Sequence, residues 1–403
     1  MKSVDDHLGE ILATVRTLAP LELELERALG TTLAEEITSP VPIPPFDNSA
    51  MDGYAVRAAD LVDASETNPV TLPVVDDVAA GDGQIHAVGP GHAVRIMTGA
   101  PMPAGADAVV PVEWTDGGSV AVVVNRSVTA GNAIRRVGED VSAGDVVLTP
   151  GTIIGPTQLG IAAGVGRRRV LVRPRPRVVI LSTGAELAEP GTPLGDGQIW
   201  ESNSFTLSAA VREAGGEGFR VGIVPDDAAV LLDQLDAQLL RADVVITSGG
   251  VSMGAYEPVK EALGPLGTVR FERVAMQPGM PQGFGVVGED QIPIFTLPGN
   301  PVSSFVSFML FVEPALRKMR GLPAGPPETI TAVTTAALRS PAGKRSYLRG
   351  RLGIGPDGAK TVAPVVKQGS HQLAALAMAD ALVVVPEQVT ELPEGSEVEV
   401  IPL

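Results

Sequence analysis

The chain has 403 residues, 44% of them hydrophobic, and carries 30 Lys and Arg against 47 Asp and Glu, a net charge of -17. That acidity excludes a broad basic face for nucleic acid, while the length predicts about two to four domains with substantial cores. Cysteine is absent, which excludes disulfides, thiolate nucleophiles and zinc-thiolate sites. The histidines, His7, His86, His92 and His371, are scattered and are expected to be structural or at the surface.

At the N-terminus the stretch 4–19 is interrupted by Asp5, Asp6, Glu10 and Arg16, so no signal-peptide core forms. No run reaches the roughly 18 apolar residues of a membrane span, and a soluble, cytoplasmic chain without membrane insertion is expected. Leu8, Ile11, Leu12 and Val15 recur at helical spacing and predict a packing stripe. The proline-rich residues 41–45 read as a stiff connector. Short β-like runs between glycine-containing turns follow over 69–149, including 120–124 and 145–148, and predict a β-rich insertion at about 47–145. The arginine- and proline-rich tract 167–177 reads as a solvated connector.

Strand and helix then alternate. Strands are expected at 178–181, 221–224, 244–247, 268–274 and 292–297, with helices at 203–214, 226–240, 257–263 and 302–319. This is the pattern of a doubly wound α/β domain, in which ligands sit beyond the carboxyl ends of the strands at the topological switch point. From about 327 short β-like runs resume at 329–336, 347–352, 381–385 and 397–401. The expected organisation is an N-terminal region at 1–172, an α/β domain at 173–322 and a small C-terminal β-barrel domain at 327–403.

The string TSGGVSMG (247–254) stands at the end of an expected strand and before an expected helix. Glycines there let backbone N–H groups approach an anion, and the helix start adds partial positive charge, so the string predicts a cradle for a phosphorylated small molecule. A plain strand-to-helix turn would need no ligand. Two further glycine turns, STGAEL (182–187) and LPGNPVSS (297–304), fall at the same sheet edge, and their convergence favours a binding site.

Taken with PFDNSAMDGYAVR (45–57), IMTGAPMPAGADAVV (96–110), RRVGEDV (135–141), YLRG (347–350) and QGSHQL (368–373), these strings resemble the MoeA family of molybdopterin molybdenumtransferases, which includes the gephyrin E domain and the plant molybdenum insertases. The resemblance spans essentially the whole chain. It implies insertion of molybdate into adenylated molybdopterin with release of AMP, assisted by Mg²⁺. Cleaving a pyrophosphate beside an oxyanion needs a phosphate cradle, carboxylates for the metal and donors for molybdate.

Residue by residue, the resemblance implies catalytic roles for Asp52, Asp140, Glu186, Asp243 and Glu257, with Asp243 and Glu186 also holding the metal. Thr98, Asn203, Ser248, Gly249, Gly250, Ser252, Gly254, Pro298, Gly299, Asn300, Arg349 and Ser370 are implied to bind substrate. As residues alone, a lone Asp in a turn is more often structural, and a turn Thr or helix-start Asn is commonly so. Asp243 at a strand start is costly without a purpose. Arg349 would supply planar donors to the oxyanion.

Where the family carries KPGKP, with two lysines facing phosphates and molybdate, this chain has QPGMP (277–281). A charge-assisted contact contributes about 1.5 to 3 kcal/mol, so Gln277 and Met280 together imply roughly two to four orders of magnitude weaker binding if nothing replaces the lysines. Glu257 stands for the usual Asp, Pro258 for an aromatic and Ala185 for the Asp of TGDEL. The resemblance implies a homodimer whose second copy completes the site, and admits a molybdopterin adenylyltransferase and molybdoenzyme maturation proteins as partners. It leaves open a gephyrin-like scaffold binding a peptide of a receptor or of the bacterial tubulin homologue FtsZ with weakened catalysis, and an enzyme using tungstate.

Overall fold

A computed structural model describes residues 1–251, 258–356 and 358–403. The chain divides into two compact units, one comprising Met1–Leu23, Ala28–Ala34 and Leu171–Leu403, the other Glu24–Arg27 and Glu35–Val170.

In the first unit the apolar runs become strands covered on both sides. Their order in the sheet is Glu217–Val224, Arg177–Thr183, Val244–Ser248, Ile292–Leu297, Pro281–Val287, Val269–Arg273. The first four are parallel, and Pro281–Val287 runs antiparallel to both its neighbours. Side chains alternate between two cores, because successive strand residues point to opposite faces. Val178, Ile180, Val244 and Ile246 pack with Leu207 and Val211 of the helix Asn203–Glu213 and with Val302 and Val306. Val179, Leu181 and Val245 pack with Leu231 and Leu235 of Ala228–Leu239 and with Val259 and Leu263 of Pro258–Leu263.

From Arg177–Thr183 the chain passes to one neighbour, Glu217–Val224, and then returns to the other side, at Val244–Ser248. The switch point therefore lies between the carboxyl ends of Arg177–Thr183 and Val244–Ser248. The expected long helix is present as Pro301–Ser307, a π-helical turn Phe308–Val312, and Glu313–Met319. The N-terminal stripe forms the helix Val4–Thr14, capped by Ser3, whose side chain accepts from the Asp6 N–H; Leu8 and Ile11 are buried in the first core.

Two expectations are corrected. The tract 167–177 is not a connector: Arg169–Arg173 is a strand that buries Val170 and Val172, with Arg169 exposed and Arg173 half-buried. The strand Pro281–Val287 was not expected, because Gly283 and Gly285 depress strand propensity. Gly283 is there for close approach, since a Cβ would come within 1.8 Å of Thr296 Oγ1.

At the C-terminus Arg345–Ile354, Lys360–Pro364, Ile330–Thr334, Glu397–Pro402 and Ala381–Val385 pair in that order, and the last pairs back onto the first. The result is a closed small barrel with Val362, Val383, Val398 and Val400 inside. The second unit is built on a sheet in the order Ala108–Pro111, Gly53–Val56, Ala93–Ile96, Val70–Val78, Ala121–Val124.

Candidate functional site

At the switch point the carboxyl ends of three parallel strands deliver Ser182–Gly184, Ser248–Val251 and Pro298–Asn300 to one cavity of about 670 Å³. Strand geometry alone accounts for this convergence. The Gly249 N–H donates to the Leu297 carbonyl at 3.1 Å, which locks the central turn to its neighbour. Gly249 and Gly250 have φ of 98° and 68°, and a Cβ would come within 2.6 Å of the Thr183 carbonyl oxygen and 2.5 Å of Val259 Cγ2. Only glycine fits either place without strain. Asn203, at the start of its helix, donates from Nδ2 to Ser248 Oγ at 2.8 Å and to the Gly299 carbonyl at 2.7 Å, tying two of the turns together. Thr183 Oγ1 is buried on this wall without a partner, a polar atom suited to a ligand.

Glu186 lies on the cavity wall and is exposed. Beside it is Asp226, also on the wall, whose Oδ2 accepts from the Ala185 N–H at 2.8 Å. In the sequence Asp226 and Asp227 stand together at an expected helix start. The structure divides them: Asp227 caps the helix through the Ala229 and Val230 N–H groups, and Asp226 faces the cavity. A second missed residue is Glu201, only 2% exposed, which accepts from Ser182 Oγ at 2.9 Å and from the Ser204 N–H and Oγ at 2.7 Å each. It anchors the start of the helix that carries Asn203. Neither residue belongs to a glycine string, and only the position of Asp226 just after a strand could have signalled it.

Asp243 stands apart from the cavity. It precedes the first residue of Val244–Ser248, at the amino end of the strand, whereas Ser248 and the cavity are at the carboxyl end. Its carboxylate accepts from the Arg177 backbone N–H at 2.8 Å and from the guanidinium at 3.0 and 2.9 Å, and this bond holds the Arg177 pKa above its ordinary value. Those contacts explain the acid at a strand start structurally, and Asp243 is not among the residues that line the switch-point cavity.

Arg349 is 1% exposed, and burial lowers its pKa. Its Nη2 donates to the carbonyls of Lys367 and Gly369 at 2.7 and 3.2 Å, and Nε has no partner. It therefore holds the loop that leads to Ser370 and does not itself form the cavity wall. The Ser370 carbonyl accepts from the Val302 N–H, and the next residue, His371, is on the wall. Gln277 is exposed on the short strand Met276–Gln277, and Met280 Sδ accepts from Arg273 Nη2 at 3.4 Å. Arg345 does not replace the absent lysines: it forms a bidentate pair with Asp5 and a third contact with Glu387.

Three candidates belong to the second unit. Asp52 accepts from the Thr98 N–H at 2.7 Å and Thr98 Oγ1 at 2.8 Å; the backbone bond first, then the hydroxyl, holds its carboxyl below the usual range. Asp140 is exposed beside a cleft with Ile43, Phe46 and Arg135. Ser252, Gly254 and Glu257 lie outside the described residues.

The geometry is that of a polar, glycine-walled cavity with three carboxylates, Glu186, Glu201 and Asp226, and no basic residue but His371 among the described wall residues. Family models match the chain in order: the MoeA N-terminal region (domain I and II) at residues 2–166, a probable molybdopterin binding domain at 179–318, and the MoeA C-terminal region (domain IV) at 331–403. The chain belongs to the MoeA family. It is 48% identical over 406 residues to a Mycobacterium tuberculosis protein named molybdopterin molybdenumtransferase 2, with 99% of each chain covered. A molybdopterin molybdenumtransferase of Haemophilus influenzae is 36% identical, covering 94% of this chain and 93% of that one. Among solved structures, a molybdopterin biosynthesis MoeA protein from Pyrococcus horikoshii OT3 superposes with a TM-score of 0.76 at 30% identity, over 100% of both chains. No helix among the described residues is long and apolar enough to cross a membrane.

Proposed function

We propose that the switch-point cavity binds adenylated molybdopterin and molybdate, and that the chain inserts the metal into the dithiolene with release of AMP. The chain is a transferase of molybdenum cofactor biosynthesis, and no observation favours a peptide-binding scaffold over that activity. The observation that carries the site assignment is the convergence of three glycine-bearing turns on one cavity at the carboxyl edge of the sheet.

The Ser248–Val251 turn seats a phosphate on backbone N–H groups, with Pro298–Asn300 as the facing wall and Asn203 fixing their separation. Glu186 and Asp226 fit a magnesium ion, which uses one or two protein carboxylates together with substrate phosphates. When bound, Mg²⁺ supplies positive charge that neutralises the phosphates and the incoming oxyanion. Arg349 positions the 367–369 loop, and through it Ser370 and His371, at the rim. We also assign a cytoplasmic homodimer, with the second copy completing the site; light scattering at working concentration tests the oligomeric state.

The decisive assay incubates the purified chain with adenylated molybdopterin, Mg²⁺ and molybdate or tungstate, and measures AMP. Release dependent on protein and oxyanion is expected, and the rates with the two oxyanions decide the metal preference. AMP release no faster than in the protein-free control would overturn the assignment.

A further inference from the structure

We infer that Trp200 is the stacking platform for a heteroaromatic ring of the phosphorylated ligand, an inference that rests on the cavity assignment above. The chain has only 2 tryptophans and 3% aromatic residues, and this one stands on the cavity wall with 53% of its surface exposed. An indole of that size left open to solvent forgoes a large apolar burial. Its only hydrogen-bond donor, Nε1–H, is already given to the Thr192 carbonyl at 2.9 Å. The tether fixes the ring and leaves its π-face, not a polar edge, to be offered to a ligand.

The backbone at this point is equally fixed. Ile199–Trp200 pairs in parallel with Leu187–Ala188, and the Ile199 and Glu201 N–H groups donate to the carbonyls of Glu186 and Ala188 at 2.7 and 2.9 Å. The next residue, Glu201, is buried and hydrogen-bonded as described above. Trp200 is thus held between the strand that follows Glu186 and the anchored start of a helix. The phosphate cradle is contributed by other strands, so a ligand seated there can reach the indole only with a part distinct from its phosphate. A flat heterocycle stacks there with a gain that does not depend on base identity. Both adenine and pterin have that chemistry.

Calorimetric titration separates the sources and tests the assignment, using AMP, a pterin monophosphate and, as a ligand without a heterocycle, ribose 5-phosphate. Trp200→Ala should weaken AMP or the pterin phosphate by about tenfold and leave ribose 5-phosphate within about twofold. Trp200→Phe keeps a ring while losing the tether to Thr192, and should stay within about threefold of wild type. A loss for one ring ligand alone identifies the ring that stacks, and a loss for both supports a platform that takes either ring. Unchanged affinities of Trp200→Ala for both ring ligands would overturn the inference alone. An equal loss for all three ligands, with a lowered melting temperature, would also overturn it, by assigning Trp200 a structural role. Failure of the wild-type protein to bind any of the three would instead overturn the cavity assignment, and the inference with it.

Discussion

The turn at Ser248–Gly250 can be tested by placing one methyl group at each of three glycines. At Gly249 an alanine would adopt φ of 98° and bring its Cβ within 2.6 Å of the Thr183 carbonyl oxygen, a backbone atom at the end of the neighbouring strand. The left-handed conformation costs about 1 to 2 kcal/mol and overpacking about 1 to 3. Gly249→Ala is therefore expected to destabilise the first unit by about 2 to 5 kcal/mol. Gly250→Ala carries the same conformational cost, and its contact is with Val259, a side chain buried in the second core, so its loss should be comparable. Gly299 differs. Its φ is outside the left-handed region, and an added Cβ would lie 3.5 Å from Gly249 Cα, an ordinary contact. Gly299→Ala should leave stability within about 0.5 kcal/mol or raise it slightly through the unfolded chain, yet its methyl intrudes on the phosphate seat. Urea unfolding followed by circular dichroism, with AMP titration of each variant, reads both effects. A Gly249→Ala midpoint equal to that of wild type, or Gly299→Ala as damaging to stability as Gly249→Ala, would refute the reasoning.

Asp243→Ala should retain AMP release within about twofold and cost about 1 kcal/mol of stability, because its Arg177 partner is half exposed and screened; Asp226→Asn should raise the Mg²⁺ concentration needed for turnover by about ten- to a hundredfold. The reverse ranking in a magnesium titration would restore Asp243 to the site. Glu201→Gln removes the charge that Ser182, Ser204 and Arg220 face, and is expected to lose about 1.5 to 3 kcal/mol and to weaken AMP binding through Asn203; a variant with wild-type stability and affinity would show that the carboxylate anchors nothing. His7 packs its ring edge-on against Phe311; burial first, then Lys2, pushes its pKa down to about 4, against the opposing pull of Glu272 and Glu10. Because the folded pKa lies below the unfolded value, the unfolded chain binds the proton more readily, and stability is lost as pH falls from about 6.5 toward 4, by up to about 3 kcal/mol. Denaturation midpoints across that window should fall in wild type more steeply than in His7→Gln, and parallel slopes would refute the assignment.

The three turns were legible because each pairs a glycine with the end of an apolar run, two local signals that reinforce one another. The alternation of strands and helices was legible for the same reason: burial on both faces makes Val178–Leu181 and Val244–Ile246 continuous apolar runs. Distance along a strand was not. Asp243 stands five residues before Ser248, close in the string, but an extended chain rises about 3.3 Å per residue, which puts roughly 16 Å between them. Trp200 and Glu201 sit in a two-residue strand and the segment after it, with partners up to 19 residues away, and no periodicity marks them. Arg349 was legible as a member of the 347–352 run, with an oxyanion role implied by the resemblance. That it is spent on backbone carbonyls and not on the cavity depends on where the 367–369 loop folds back.

The loss of the two lysines acquires a specific consequence from the cavity wall. Its described residues include Glu186, Glu201 and Asp226 but no Lys or Arg, and Arg345 is committed elsewhere. A polyanion approaching such a wall meets like charge, and backbone N–H groups alone supply only modest compensation. Affinity must then depend on the divalent cation more steeply than in a site with resident lysines. Two charge-assisted contacts at about 1.5 to 3 kcal/mol each set the scale, so chelating Mg²⁺ should weaken AMP binding by about a hundredfold or more. Restoring cations in Gln277→Lys/Met280→Lys should flatten that dependence and tighten binding in the absence of metal. Calorimetry with and without EDTA measures both. Equal affinity in the two conditions would mean that the anion is held by donors other than the metal and the Ser248–Val251 turn, and would move the phosphate seat away from the switch point.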